Sequence, residues 1–412
     1  MNNKDRYGEF FTPNLLIDEI IDQLPLSVWN DPKLTWFDPC AGKGEFLKRV
    51  YVRLMNNLQF FEDPIDRKRH ILTNMLFMNE INRENEVDLQ SFFGKHANIF
   101  FEDFLTFPIE FDPPSQNRVC PSLRLSPPVF SPVKPINQFD IILANPPYQT
   151  TKQTIYKGSV GNRTLWDKFL LKCFTLNNDN GFIGFITPAN WRRPEHKLYR
   201  QITIEHNLIY LHIYGKNDGL SFFNAQTRFD LYLIQNIKRT IVPPLIIDEQ
   251  NIRHYTIDLL SWPFLPNFSY EKFKPFISTT PSNSVIYDSC FYDARKLSKT
   301  KNDIFKHPII HTLTKKGIGI RFSKTQNQHF VSPKVILNVN EKQYPVNDFD
   351  CYYGMTQLSF GIKINSFLEG EYIINIINSP LFKELLSATK WSSFQTDYRM
   401  FKYLHLHPRS LL

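Results

Sequence analysis

The sequence predicts an α/β protein: a doubly wound, mostly parallel sheet followed by a mostly β or irregular C-terminal domain. Three observations predict it. Short apolar runs recur through residues 1–240, each ending on a polar residue and alternating with segments of helical spacing. A glycine-containing turn, Asp38-Pro39-Cys40-Ala41-Gly42-Lys43-Gly44, joins the first run to a helical pattern, as in the opening of a βα unit. Beyond Lys238-Arg239 the rhythm breaks at Val242-Pro243-Pro244 and aromatic, proline-rich sequence follows. The chain of 412 residues exceeds one usual domain, so a boundary is expected near residue 240, giving domains 1–240 and 241–412.

The elements follow in order. Leu15, Leu16, Ile20, Ile21 and Leu24 fall at helical spacing after the start signal Thr12-Pro13. Leu34 to Phe37 reads as a first strand and Phe46 to Leu58 as a helix. Met75 to Met78, Ala97 to Phe101 and Phe139 to Ala144 read as strands ending at Asn79-Glu80, Glu102-Asp103 and Asn145. Trp166 to Leu176 reads as a helix, and Gly181 to Thr187, Leu208 to Tyr214 and Phe229 to Gln235 as further strands. In such a sheet the polar residues collect at the carboxyl edge. Residues 108–135, with Pro113-Pro114 and Pro127-Pro128, read as a surface insertion, because proline interrupts helix and central strand alike. In the C-terminal part, Lys334 to Val339 and Tyr372 to Ile377 read as short β runs.

Composition narrows the class. Hydrophobic residues make up 42% of the chain, which supports a buried core and excludes a disordered protein. The net charge of +8 favours a polyanionic partner without proving one. The five cysteines, Cys40, Cys120, Cys173, Cys290 and Cys351, are scattered and form no CxxC or Cys/His cluster, so no metal site is expected and a reducing, intracellular setting fits best. No signal peptide follows Met1, and no apolar run is long enough to span a bilayer, so no membrane association is expected. The oligomeric state is not evident from the sequence, and a monomer is compatible with it.

Asn145-Pro146-Pro147-Tyr148 carries the most specific chemistry. An exocyclic amine on an aromatic ring is a poor nucleophile, because its lone pair is delocalised. Two acceptors aimed at its N–H hydrogens draw that pair out of the ring plane. The Asn145 side-chain oxygen and the Pro146 carbonyl can be those acceptors, and the two prolines stiffen the turn that orients them. Tyr148 offers a face on which an extruded base can stack. Alone, the tetrapeptide reads equally as a tight turn after a buried strand. Its place at the end of a strand in an α/β sheet separates the two readings.

With these motifs in this order, the chain resembles the γ-class N6-adenine DNA methyltransferases, which use S-adenosylmethionine. Gly8-Glu9-Phe10-Phe11-Thr12-Pro13 resembles the N-terminal cofactor motif of that family, and Asp38 to Phe46 its glycine loop. Glu80 and Asp103-Phe104 stand where the next two motifs belong, and Gly181 to Pro188 resembles the strand that follows the catalytic turn. The resemblance covers roughly the first 240 residues. It implies a Rossmann-like methyltransferase sheet and a C-terminal target-recognition domain, with double-stranded DNA as partner. Asn145, Pro146 and Tyr148 would be catalytic. Phe11, Thr12, Pro13, Asp38, Cys40, Gly42, Glu80, Asp103 and Phe104 would bind the cofactor.

Physical roles stand beside that resemblance. Gly42 and Gly44 let the backbone approach a ligand closely. Asp38 can meet the cofactor's ammonium, or cap an Asp-Pro turn. Glu80 can accept from ribose hydroxyls, although 42 positions separate it from Asp38, a long interval. Asp103 can accept from the cofactor's adenine amine, and Glu102 competes for that duty because strand-end register is not set by sequence. Neither metal nor general base is required, since the methylated ammonium sheds its own proton. Lys299, Lys301, Lys315, Lys316, Arg321, Lys324, Lys390, Arg399 and Lys402, interleaved with aromatics, suit phosphate contacts or simply a solvated surface. RNA or protein-glutamine methylation by the same turn, and a non-catalytic DNA-binding relative, remain as rivals. No nuclease cluster stands out, so a cognate endonuclease, if there is one, is expected on a separate chain.

Overall fold

A computed structural model describes residues 11–111, 137–149, 164–289, 291–340, 342–391 and 395–406. Gly8 to Phe10, Cys120, Cys290 and most of the expected insertion at 108–135 lie outside the described residues. The chain divides into two compact units, Met1–Ala189 with Arg200–Ile257, and Asn190–Tyr199 with Asp258–Leu412.

The first unit is built on a nine-stranded sheet in the order β3-β2-β1-β4-β5-β7-β6-β8-β9. Its strands are β1 (Trp36–Asp38), β2 (Leu76–Asn79), β3 (Asn98–Phe100), β4 (Phe139–Ala144), β5 (Asn177–Pro188), β6 (Asn207–Tyr214), β7 (Phe229–Gln235), β8 (Leu245–Ile247) and β9 (Arg253–His254). Strands β1 to β5 pair in parallel, β7 lies antiparallel between β5 and β6, and β6 pairs in parallel with β8. The sheet thus continues past residue 240, through β8 and β9, and the unit ends at Ile257. The break at Val242-Pro243-Pro244 is a connection between two strands of one sheet, and this is why composition placed the boundary too early.

Both faces of the sheet are covered, as the two-residue alternation of its strands requires. Helix α1 (Asn14–Ile21) buries Leu16, Ile17, Ile20 and Ile21, and α2 (Glu45–Asn57) buries Phe46, Leu47, Val50 and Leu54. These pack with Trp36, Leu76, Met78, Ile141 and Leu143 in one cluster. The intervening Phe37 and Phe77 point the other way. Phe37 stacks on Phe139 at 4.3 Å and approaches Phe104, which in turn meets Phe169 of α3 (Trp166–Leu176) at 4.9 Å. At about 25 cal/mol per Å² of apolar surface, these buried rings and aliphatics dominate the stabilisation of the unit.

The second unit holds two small sheets. One is antiparallel in the order β10-β16-β13-β14, from β10 (Val285–Ile286), β13 (Lys334–Asn338), β14 (Val346–Asp348) and β16 (Ser359–Lys363). The other, β12-β11-β15, combines β11 (His307–Thr314), β12 (Gly317–Ser323) and β15 (Gly354–Met355). The Tyr372 to Ile377 run is helical, not β, within Phe367–Asn378. Its isoleucines favour strand, but Ser366 caps the helix by accepting from the Glu369 N–H, and the Glu369 carboxylate accepts from the Asn365 N–H. A Ser-x-x-Glu start of this kind outweighs β-branched propensity. Arg192, fully buried, fixes the Asn190–Tyr199 segment by donating to the carbonyls of Leu265 and Pro266 and to Asn267 Oδ1.

In the same unit Lys334 and Asp348 face one another across β13 and β14 as a buried ion pair at 2.5 Å. Asp348 also accepts from the N–H groups of Tyr352 and Tyr353. Removing one buried partner strands the other's charge. Lys334→Met is therefore expected to cost about 3 kcal/mol in urea unfolding. Pairing it with Asp348→Asn, which keeps the oxygen that takes the Tyr352 N–H, should recover most of that loss.

Candidate active site

The site assembles where β2, β1 and β4 end together. Asp38 aligns with Met78 across β1 and β2, and Phe37 with Ile142 across β1 and β4. The residues that follow these strands, Cys40 to Gly42, Glu80 and Asn145, therefore leave the sheet along one edge, where α/β proteins bind ligands.

Asp38 is buried and its Oδ1 accepts from the Cys40 N–H at 3.0 Å. Glu80, also buried, accepts from the Gly42 N–H and the Asn82 N–H, both at 2.6 Å. One carboxylate thus ties the glycine loop to the end of β2. Gly44 sits at φ 85°, and a Cβ there would lie 2.6 Å from the Phe93 ring, so the turn into α2 requires glycine. Lys43 pairs with Asp88 and lies 5.5 Å over the Phe11 ring.

Asn145 donates through Nδ2 to the Thr12 hydroxyl at 3.1 Å, which brings the segment before α1 onto the Asn145 turn. Thr12 is buried, Phe11 is exposed, and Pro13 precedes the first turn of α1. The Cys40 thiol lies within reach of the Asn145 backbone, and burial with the nearby Asp38 and Glu80 charges pushes its pKa well up. Tyr148, half-buried, closes the turn; burial and then the charge of Asp230 push its hydroxyl pKa upward. Its carbonyl accepts from the Leu165 N–H at 3.2 Å. Pro146 is buried in the same turn.

Thr12, Asp38, Cys40, Gly42, Glu80 and Asn145 are therefore brought together. Asp103 is not bonded to them. It is exposed, and its Oδ1 accepts from the Leu105 N–H at 3.0 Å. Glu102 is exposed as well, so both carboxylates still compete for the role given to Asp103. Phe104 is buried against Phe37 and Phe169 beneath the sheet, with the Lys172 ammonium 4.7 Å over its ring.

Two contributors were not singled out from sequence. Asn79, buried at the end of β2, donates from Nδ2 to the carbonyls of Pro39 and Glu102, stitching the first loop to the third. Lys172 donates to the carbonyls of Phe104 and Phe107 and so fixes the turn that carries Asp103. Asn79 stood beside Glu80 in the strand-end pair and could have been found there. Lys172 left no local signal, because its partners lie more than 60 residues away.

Burial pushes the Asp38 pKa up to about 8; the Cys40 N–H opposes this, and the Glu80 charge adds to it. A carboxyl held protonated beside a second acid suits a cationic ligand group.

A doubly wound sheet with this edge defines the Rossmann-like class to which S-adenosylmethionine-dependent methyltransferases belong. Residues 52–219, which run from α2 through the Asn145 turn to beyond β6, match the Eco57I restriction-modification methylase family. The chain is 37% identical over 73 residues to an adenine-specific methylase of Mycoplasma pneumoniae described as uncharacterized, a match covering 17% of each protein. It therefore spans far less than two thirds of that relative. The ATP-dependent Type ISP restriction-modification enzyme LlaBIII, solved bound to DNA, shares the fold with a TM-score of 0.51 and 12% identity, over 95% of this chain and 38% of the enzyme. The M protein of the type I restriction enzyme EcoKI overlays with a TM-score of 0.40 at 15% identity, over 57% of this chain and 44% of its own.

The Asp38 carboxyl also has a consequence for stability. The folded chain keeps a proton that the unfolded chain releases near the ordinary value of 3.8. Stability thus falls as pH rises from about 4 to about 8 through this group. Asp38→Asn is expected to raise the thermal midpoint of the ligand-free chain at pH 9 and leave it nearly unchanged at pH 4. An equal shift at both values would contradict the assignment.

Proposed function

We propose that the chain transfers a methyl group from S-adenosylmethionine to N6 of an adenine flipped out of double-stranded DNA, in a restriction-modification or DNA-protection role. The observation that carries this reading is the Asn145-Pro146-Pro147-Tyr148 turn at the end of β4, bonded to Thr12 and adjoining the Asp38–Glu80 edge. The family match over residues 52–219 and the basic second unit support it.

The residues present fit the cofactor. Asp38 would receive its ammonium, Glu80 its ribose hydroxyls, and Asp103 or Glu102 its adenine amine, with Phe11 to Pro13 across the open end of the pocket. When bound, S-adenosylmethionine supplies an electrophilic methyl on a sulfonium. The chain's part is to hold the nucleophile. The Thr12 bond commits the amide nitrogen of Asn145 as donor, which leaves Oδ1 to accept from the adenine amine. The Pro146 carbonyl is the second acceptor. Preset dipoles of this kind cost no reorganisation during reaction, and alignment within the turn adds to the acceleration. Tyr148 provides the stacking face for the base, whose extrusion costs a few kcal/mol. The surplus proton leaves to water after transfer.

Transfer of labelled methyl to DNA, RNA and a release-factor-like protein tests the substrate class; incorporation into RNA or protein alone sinks the DNA reading. Asn145→Ala is expected to lower turnover by at least about 100-fold, the scale of losing one transition-state hydrogen bond partner. Duplex binding in a gel-shift assay should survive the change. Cofactor binding at pH 7 should also release protons as an ammonium ionises Asp38. Calorimetry in buffers of different ionisation enthalpy reads this, and Asp38→Asn should abolish the buffer dependence.

A further inference from the structure

We propose that the β11–β12 hairpin lies in the major groove of duplex DNA, with its basic ends on the phosphates of both walls. This rests on the reading of DNA as the substrate and assigns the element that grips it.

The hairpin is a two-stranded ribbon with a supported face and an outward face. Ile310 and Leu313 are buried in the core of the second unit, whereas Thr312 and Thr314 are exposed. Strand β15 pairs only with Ile309 and Ile310, and β12 is the outer strand of its sheet. A register shift between Ile310 and Thr312 makes a bulge at His311, a device that twists a ribbon. Gly319 keeps it slender, since a Cβ there would meet the Thr312 hydroxyl at 2.1 Å.

Its charges are one-sided. Between residues 296 and 324 stand seven exposed lysines and Arg321, against a single acid, Asp303. Among the described residues none of these lysines is held in an ion pair. One or two lysines suffice to guard an edge strand against pairing with another chain. Seven unneutralised cations instead favour a polyanion.

The placement suits a groove. Lys315 and Lys316 form the hairpin tip, where two-residue turns ordinarily favour asparagine and glycine. The Thr314 hydroxyl accepts from the Lys316 N–H and donates to the Gly317 carbonyl, so the tip is held in shape. Lys306, Arg321 and Lys324 mark the other end. From Lys316 to Arg321 the strand rise gives about 16 Å. That exceeds the major-groove width of about 12 Å enough to set cations on both phosphate walls. The uncharged Thr312 and Thr314 between them, paired with Gly319 and Gly317, would face the base edges and offer hydroxyls to donors and acceptors there.

The test uses fluorescence anisotropy with a mixed-sequence duplex and the full chain across a salt series. Replacing Lys315 and Lys316 together by alanine should lower the slope of log affinity against log salt by about 2, near 0.9 per lost phosphate contact, and arginine at both positions should restore it. Binding of S-adenosylmethionine should stay unchanged. A duplex carrying glucosylated 5-hydroxymethylcytosine, whose sugars fill the major groove, should bind the wild-type chain far more weakly, while netropsin in the minor groove should leave binding intact. An unchanged slope in the alanine variant overturns the ribbon assignment alone. Competition by netropsin without an effect of glucosylation overturns the groove. A wild-type chain that binds no duplex at all overturns the underlying DNA reading.

Discussion

The candidate site depends on the parallel register of β1 between β2 and β4. Parallel strands start and stop together, so three loops separated by as much as a hundred residues emerge side by side. Given that register, Glu80 reaches the Gly42 N–H, and Asn79 reaches the carbonyls on either side. A slip of one residue would turn Asp38 to the opposite face and carry Phe37 out of its stack with Phe139. The core and the site are thus set by the same alignment.

The edge concentrates acids. Asp38 and Glu80 both lie in the interior, and the fold tolerates them because one keeps its proton and the other accepts two backbone N–H groups. An arrangement that holds unfavourable charge before a ligand arrives favours cations, and an ammonium answers that need. The Asn145 turn meets the opposite requirement. It presents neutral acceptors in a tight loop, where a flat amine rather than a charged group is the better guest.

The second unit works by other means. Beside its buried apolar residues, Ile286, Phe291, Ile310, Leu313, Ile336 and Met355 among them, it carries buried polar staples. Arg192 gathers three oxygen partners, and Lys334 closes on Asp348. Such staples hold irregular connections in fixed shape. They free the surface to carry a strong excess of one charge.

Much of this was legible in the sequence. Apolar runs located β1 to β7 to within a few residues, and β4, α3 and β7 at their observed limits, because buried strands and amphipathic helices write themselves in local pattern, whereas the short edge strands β8 and β9 were missed. The polar residue after each strand marked the edge, which is how Asp38, Glu80 and Asn145 came to be chosen. Local pattern failed where partners are distant or where two local signals disagree. The proline break at 242–244 marked a loop within a sheet, and a capping pair overrode the isoleucines of 372–377. By itself, then, the sequence determined the first seven strands, the order of their motifs and which polar residues stand at the strand ends. Only the tertiary structure decided which loops meet, that Asn145 leans on Thr12, that Lys172 braces the Asp103 turn, and that one domain ends at Ile257. Those contacts join residues far apart in the chain, and their energy appears only once the strands have paired.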